Sequence, residues 1–168
     1  MLNGYWHGAH KTALLMRKHT KRKVWSTNIN PIAHAIAGAR ITNKSELDKL
    51  RLAELSALES MRMGKGTIED WRLLTDMMNI CETFGKNGIG AEALEDCRQA
   101  QESLYKSAKR YETTKRMGLD GLGIKALQNV FEWHDLQRIS VARSVYEDMI
   151  EKTRNYLRSH GKDVVEVT

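Results

Sequence analysis

Proline occurs once in this chain of 168 residues, at Pro31, and runs of β-branched residues are nearly absent until Val164, Val165 and Val167. Little is left from which to build a sheet. Cysteine is equally scarce: Cys81 and Cys97 are too few for a disulfide framework and lack the spacing of metal ligands. Each sits among apolar positions, where a small buried hydrophobe is the expected role. No apolar run approaches the roughly 18–20 residues that a membrane-spanning helix needs. The N-terminal apolar stretch, Ala13 to Met16, is short and precedes the basic residues instead of following them, the reverse of a secretory signal. A cytoplasmic location is therefore expected, with no membrane partner. Hydrophobic residues at 41% and charged residues at 29% match an ordinary globular chain and not a disordered one.

Acidic residues are missing altogether from the first 25 positions, which hold Lys11, Arg17, Lys18, Lys21, Arg22 and Lys23. These six are drawn from 27 bases in total, leaving 21 bases to face 21 acids in residues 26–168. The whole net charge of +6 thus lies in an appended arm on a body that is neutral by count. Such an arm can neutralise phosphates and release condensed counterions, giving affinity for nucleic acid without sequence readout. Trp6 and Trp25 could add stacking on exposed bases. The duller alternative is a solvated terminal tail.

The body reads as helices. Asn30 and Pro31 suit the N-cap and first turn of a short helix, "NPIAHAIAGA", reaching about residue 39. A second helix, about 44–63, begins near Thr42 or Ser45 and presents Leu47, Leu50, Leu55, Leu58 and Met61, with Glu46, Asp48, Lys49, Glu54 and Glu59 mostly elsewhere. It stops at the Gly64-Lys65-Gly66 turn. A third, about 68–84, takes Thr67 as N-cap, with Glu69 and Asp70 in the first turn. Its two apolar stripes, one through Trp71, Leu74, Met78 and Cys81 and one through Leu73, Met77, Ile80 and Phe84, predict burial on two sides and a central place. Gly85, Gly88 and Gly90 break it.

The fourth, about 91–116, repeats Leu94, Cys97, Gln101, Leu104, Ala108 and Tyr111 at three- and four-residue steps, with acids early and bases late. The last, about 122–158, is long and is expected to bend near Ser140, with apolar positions at Ile124, Leu127, Phe131, Val141, Val145, Met149 and Tyr156. Short connections predict antiparallel neighbours. The expectation is an all-α compact bundle of about five helices: a basic arm at 1–25, one helical domain at 26–160 and a tail at 161–168. The long late helices also leave apolar surface that a homodimer would bury.

Motifs for chemistry are few. "EWHD" places Glu132, Trp133, His134 and Asp135 together, with Arg138 one turn on. The two acids do not share a helix face with His134, and no Glu-x-x-His pairing supplies further ligands. A hydrogen-bonded core histidine is favoured over a metal or acid–base role, and Asp135 with Arg138 reads as a surface ion pair. "GKGT", "GKNGIG" and "GLDGLG" all join helix to helix, outside the strand contexts that phosphate and dinucleotide loops require, so caps explain them better. Neither a nucleophile elbow nor a zinc helix is present. The expectation is a protein without enzymatic activity, cofactor or metal. "GKGT" is compatible with a helix-turn-helix turn, but the helix after it is too apolar to read a groove.

Candidate binding residues are therefore Arg17, Lys18, Lys21, Arg22, Lys23 and Trp25. A secondary basic patch, Lys106, Lys109, Arg110, Lys115 and Arg116, is discounted because a helix C-terminus already accounts for bases there.

The basic stretch, "NINPIAHAIAGARI", "MGKGTIEDWRLLTDMMNICETFGKNGIG" and the late "FEWHDLQRISV" together resemble the layout of small accessory proteins carried by bacterial prophages and mobile elements. The resemblance covers about residues 17–158 and includes no catalytic motif. It implies context: a compact accessory protein that binds host or viral macromolecules, either nucleic acid or a protein complex. Residues 1–16 fall outside it, and Met16 is an alternative start. A protein-directed inhibitor of a host system, such as an anti-CRISPR or other anti-defence factor, is the competing expectation. An enzyme using the His134 neighbourhood ranks third.

Overall fold

The computed structural model describes residues 44–161. The basic arm, Trp25 and the expected helix at 31–39 lie outside them. Within them, α1 spans Lys44–Arg62 and α2 Ile68–Lys86; a single 3-10 turn, Ala91–Ala93, leads into α3, Leu94–Thr114; α4 spans Gly121–Ser140 and α5 Arg143–Ser159. There is no strand among the described residues, only an isolated bridge between Gly66 and Met117 that pins the α1–α2 turn to the α3–α4 loop. The described residues form an all-α bundle. No helix among the described residues is long and apolar enough to cross a membrane.

Local chemistry sets most boundaries. Gly64 turns the chain out of α1 at φ 67°, a conformation that costs glycine nothing. Thr67 then starts α2 with a reciprocal cap: its hydroxyl accepts from the Asp70 amide at 3.1 Å, and the Asp70 carboxylate accepts from the Thr67 amide at 2.8 Å. Asp120 starts α4 by accepting from the Gly123 amide at 2.7 Å.

The two stripes of α2 have the expected result. Trp71, Leu74, Met77, Met78, Cys81 and Phe84 are all buried, and α2 touches each of the other four helices. Burial of such side chains contributes on the order of 1.5–3 kcal/mol each. Specific bonds fix the neighbours: the Trp71 indole donates to the Leu104 carbonyl of α3 at 3.0 Å. The Asn129 amide and Trp133 indole of α4 donate to the two carboxylate oxygens of Asp96, at 2.9 and 3.1 Å.

Three expectations need correction. The long last helix is two: Val141 is extended, at φ −120° and ψ 154°, and α5 restarts after Ala142. Five helices are thus described, but not the same five. On α1, Leu55 is largely exposed while Glu54 is buried with Ala57, Leu58 and Met61. The face that meets the core is rotated toward the charged residue, because Glu54 has a buried partner. On α3, Gln101 faces outward although it falls on the apolar repeat.

Candidate functional site

The partner of Glu54 is Arg138. Its guanidinium grips the Glu54 carboxylate in a two-pronged pair, Nη1 to Oε2 at 2.9 Å and Nη2 to Oε1, with both side chains almost wholly buried. The expected surface pair of Asp135 with Arg138 is therefore not what holds Arg138. Asp135 lies 3.7 Å from it but meets the half-exposed Arg51 of α1 at 2.8 Å. Burial pushes the Glu54 carboxyl above its ordinary value, and the bonds from Arg138 offset part of that. The Arg138 Nε also donates to the Tyr146 hydroxyl of α5 at 3.3 Å.

His134 sits beside this pair, fully buried as a core residue. Gln137 donates its side-chain amide to the carbonyls of Cys81 and Ile89, at 3.3 and 2.9 Å. Its Oε1 is left as an acceptor, so His134 Nδ1 carries the proton of their 3.2 Å bond. Nε2 then presents a lone pair with no hydrogen-bond partner among the described residues. The Phe84 and Tyr146 rings close over it, with centroids 6.2 and 6.0 Å away. Burial, and then the Arg138 charge, push the imidazole down to about 3. A neutral histidine buried this deeply packs in the core with one hydrogen bond, to Gln137. Cys81 and Cys97 are buried thiols, and the Cys81 thiol is pushed up by the Cys97 thiol beside it and by burial. A thiol raised in this way, as Cys81 is, is not an activated nucleophile. Among the described residues no three His, Cys, Asp or Glu side chains gather to hold a metal ion.

Between α3 and α5 lies a groove of about 790 Å³ whose floor is α2. Trp71, Met78 and Leu104 give it an apolar base, and Tyr105 and Tyr156 stand half-exposed at its edges. The charges around it pair locally: Lys86 with Glu82 at 2.8 Å, Arg98 with Glu95 at 2.6 Å, Lys152 with Asp148 at 3.0 Å. The groove presents shape and apolar area without a field of one sign.

The secondary basic patch lies exposed at and just beyond the end of α3, and the side chains of Lys106, Lys109, Arg110 and Lys115 each have a local partner. Lys106 pairs with Glu102 at 2.7 Å and Lys109 with Glu112 at 3.1 Å. Arg110 donates to the Gly118 carbonyl at 2.7 Å. Lys115 closes the helix in a left-handed conformation, and its ammonium lies 5.2 Å from the Tyr111 ring centroid. The Arg116 amide donates to the Thr114 hydroxyl at 3.2 Å. Arg17, Lys18, Lys21, Arg22, Lys23 and Trp25 are outside the described residues. Sequence reasoning missed Glu54, Gln137 and Tyr146. The available signal was that Glu54 shares a helix face with Ala57, Leu58 and Met61.

No family model, curated protein or solved structure matches this chain.

Proposed function

We propose that this is a non-enzymatic accessory protein of a phage or mobile element that acts by binding, its basic N-terminal arm contacting nucleic acid. The observation that carries the proposal is the separation of charge. The whole excess of +6 lies in residues 1–25, while the cations along α3 are taken up by neighbouring carboxylates, a carbonyl and an aromatic ring. The buried, neutral His134 supports a binding role over the enzymatic alternative.

Binding of a fluorescent duplex and a single-stranded oligonucleotide, followed by anisotropy from 50 to 200 mM salt, tests it. If about five phosphates are neutralised, affinity for the duplex should fall about 500-fold across that range. Replacing Arg17, Lys18, Lys21, Arg22 and Lys23 by glutamine in the full chain should abolish binding, and Trp25→Ala should weaken the single-stranded complex selectively. Salt-independent binding, or binding unchanged by the five replacements, refutes the proposal.

The groove favours a second reading, a protein-directed inhibitor of a host system. In that case a nuclease-treated bacterial lysate should yield a stoichiometric protein partner, which Tyr105→Arg at the exposed groove edge releases. Retention of that partner by Tyr105→Arg, or recovery of none, counts against it.

A further inference from the structure

The joint between α4 and α5 is marked by none of the residues that end the other helices. α1 ends at left-handed Gly64, α2 is followed by left-handed Gly88 and Gly90, and α3 ends at left-handed Lys115. α4 instead runs into Val141, a β-branched residue in an extended conformation. α5 begins after Ala142 with no side-chain cap, no acid in its first turn, and a cation, Arg143, where the helix dipole favours an anion. The helical repeat also continues across the joint, through Phe131, His134, Arg138, Val141, Val145 and Met149. Local sequence thus favours one helix from Gly121 to Ser159, in which the last carbonyls of α4 and the first amides of α5 would bond to each other.

The break is held by where α5 docks. Its Tyr146 ring stacks on Phe84 at 5.8 Å, and the Thr153 and Thr83 hydroxyls bond at 2.7 Å. Lys152 donates to the Asn87 side chain at 3.2 Å, and the Lys86 ammonium lies 5.3 Å from the Tyr156 ring centroid. All four anchors belong to α2 or the turn directly after it. α5 stands apart from α3, leaving the groove between them. Tyr146 also meets Arg138 and His134 of α4, so α5 docks on α2 and on the end of α4, and a helix docked this way through a two-residue joint can exchange both for the identical surfaces of another chain.

We propose that the protein forms a domain-swapped dimer: Val141 and Ala142 become helical, α4 and α5 join, and α5 seats on α2 of a second copy. The same four contacts form between chains, so exchange sacrifices none of them while it joins the end of α4 to the start of α5, which has no N-cap side chain. Two-chain exchange depends on concentration, and the dimer should dominate after refolding of concentrated protein.

Co-refolding two full-length variants, one with Thr83→Cys and one with Thr153→Cys, tests this directly. Only exchange brings position 153 of one chain to position 83 of the other. After mild oxidation and alkylation, a non-reducing denaturing gel should show a covalent dimer whose share rises with protein concentration. Ala142→Pro in both chains should cut that share at least about a hundredfold. Ala142 already has φ −68° and Val141 is extended, as a proline and its predecessor require, so the break is kept while the continuous helix is penalised. A chain carrying both cysteines reports the other arrangement by closing the bridge within itself. Absence of inter-chain bridging at every concentration, with closure inside the double variant, overturns the proposal. So does bridging unchanged by Ala142→Pro. Should either cysteine variant fail to fold, sedimentation equilibrium of the unaltered chain decides: a monomer throughout overturns the proposal, and a dimer that Ala142→Pro converts to monomer sustains it.

Discussion

Lowering the pH from 7 to 5 should remove about 2 kcal/mol of the stability that His134 contributes. In the folded chain its imidazole is pushed down to about 3 by burial and by Arg138. In the unfolded chain it returns to about 6.5. At pH 5 the unfolded state is almost fully protonated at this residue and the folded state almost fully neutral, so protons pull the equilibrium toward unfolding. The contribution is complete above about pH 6.5 and is lost progressively as pH falls toward 3. Glu54 and Asp76, raised by burial, work in the opposite sense, since each releases its proton less readily in the folded state. Glu95, held at about 2 chiefly by Arg98, loses its effect only below the ordinary carboxylate range. The wild-type pH dependence mixes these effects, so the measurement is a difference. Urea unfolding of the full chain and of His134→Gln is followed at pH 7 and pH 5, and glutamine cannot titrate. The wild type should lose about 2 kcal/mol more than the variant between the two values. Parallel pH dependence in the two proteins, or an imidazole resonance titrating near 6.5 in the folded wild type, refutes the reasoning.

Arg138→Met strands the Glu54 carboxylate in the core and should cost about 3–5 kcal/mol, read from urea unfolding. Glu54→Leu combined with Arg138→Met should cost much less than Arg138→Met alone, because no buried charge remains. Gly123→Ala should destabilise by about 1–3 kcal/mol, since its Cβ would come within 2.6 Å of the Ser103 Cβ where α4 crosses α3. Gly121→Ala, two residues earlier and facing open space, should instead raise stability by about 0.4–1 kcal/mol, and thermal melts of the pair show whether packing or backbone entropy governs each site.

What was legible in the sequence was local. Thr67 with Asp70 announces the start of α2 because the capping partners lie within one turn of each other. The double stripe of α2 announces a central helix because a helix apolar on two sides must be covered on both. Glu54 was only half legible as a core residue: it shares a helix face with Ala57, Leu58 and Met61, but a carboxylate is buried only when a partner neutralises it. That partner lies 84 positions away, on a helix whose crossing angle no local pattern encodes. Arg138 misled for a related reason. Asp135 stands three residues before it, the usual spacing of a surface pair, and nothing nearby says that the guanidinium turns inward.

The division of the last helix is the most instructive miss, and it bears on the groove. Periodicity runs through Val141 and Ala142 unbroken, so sequence reasoning reached only a bend. The break exists because Tyr146, Lys152, Thr153 and Tyr156 find their partners on α2. Folding back makes Tyr156 and Leu157 part of the wall of a groove that Trp71 and Met78 also line, and the groove is the space left between α5 and α3. A groove made this way has no sequence signature of its own, for it is the by-product of a joint that is itself set by tertiary contacts. It also has two possible ownerships. In the monomer one chain supplies all three helices; in the proposed exchange a second chain supplies α5, and the same groove is assembled from two copies. The dimer would then carry two basic arms on one particle. Binding of the second arm to the same nucleic acid would become an intramolecular step, so avidity would rise without any new contact. Ala142→Pro separates the two effects: it should lower affinity for a long duplex but leave affinity for a duplex too short to engage both arms unchanged.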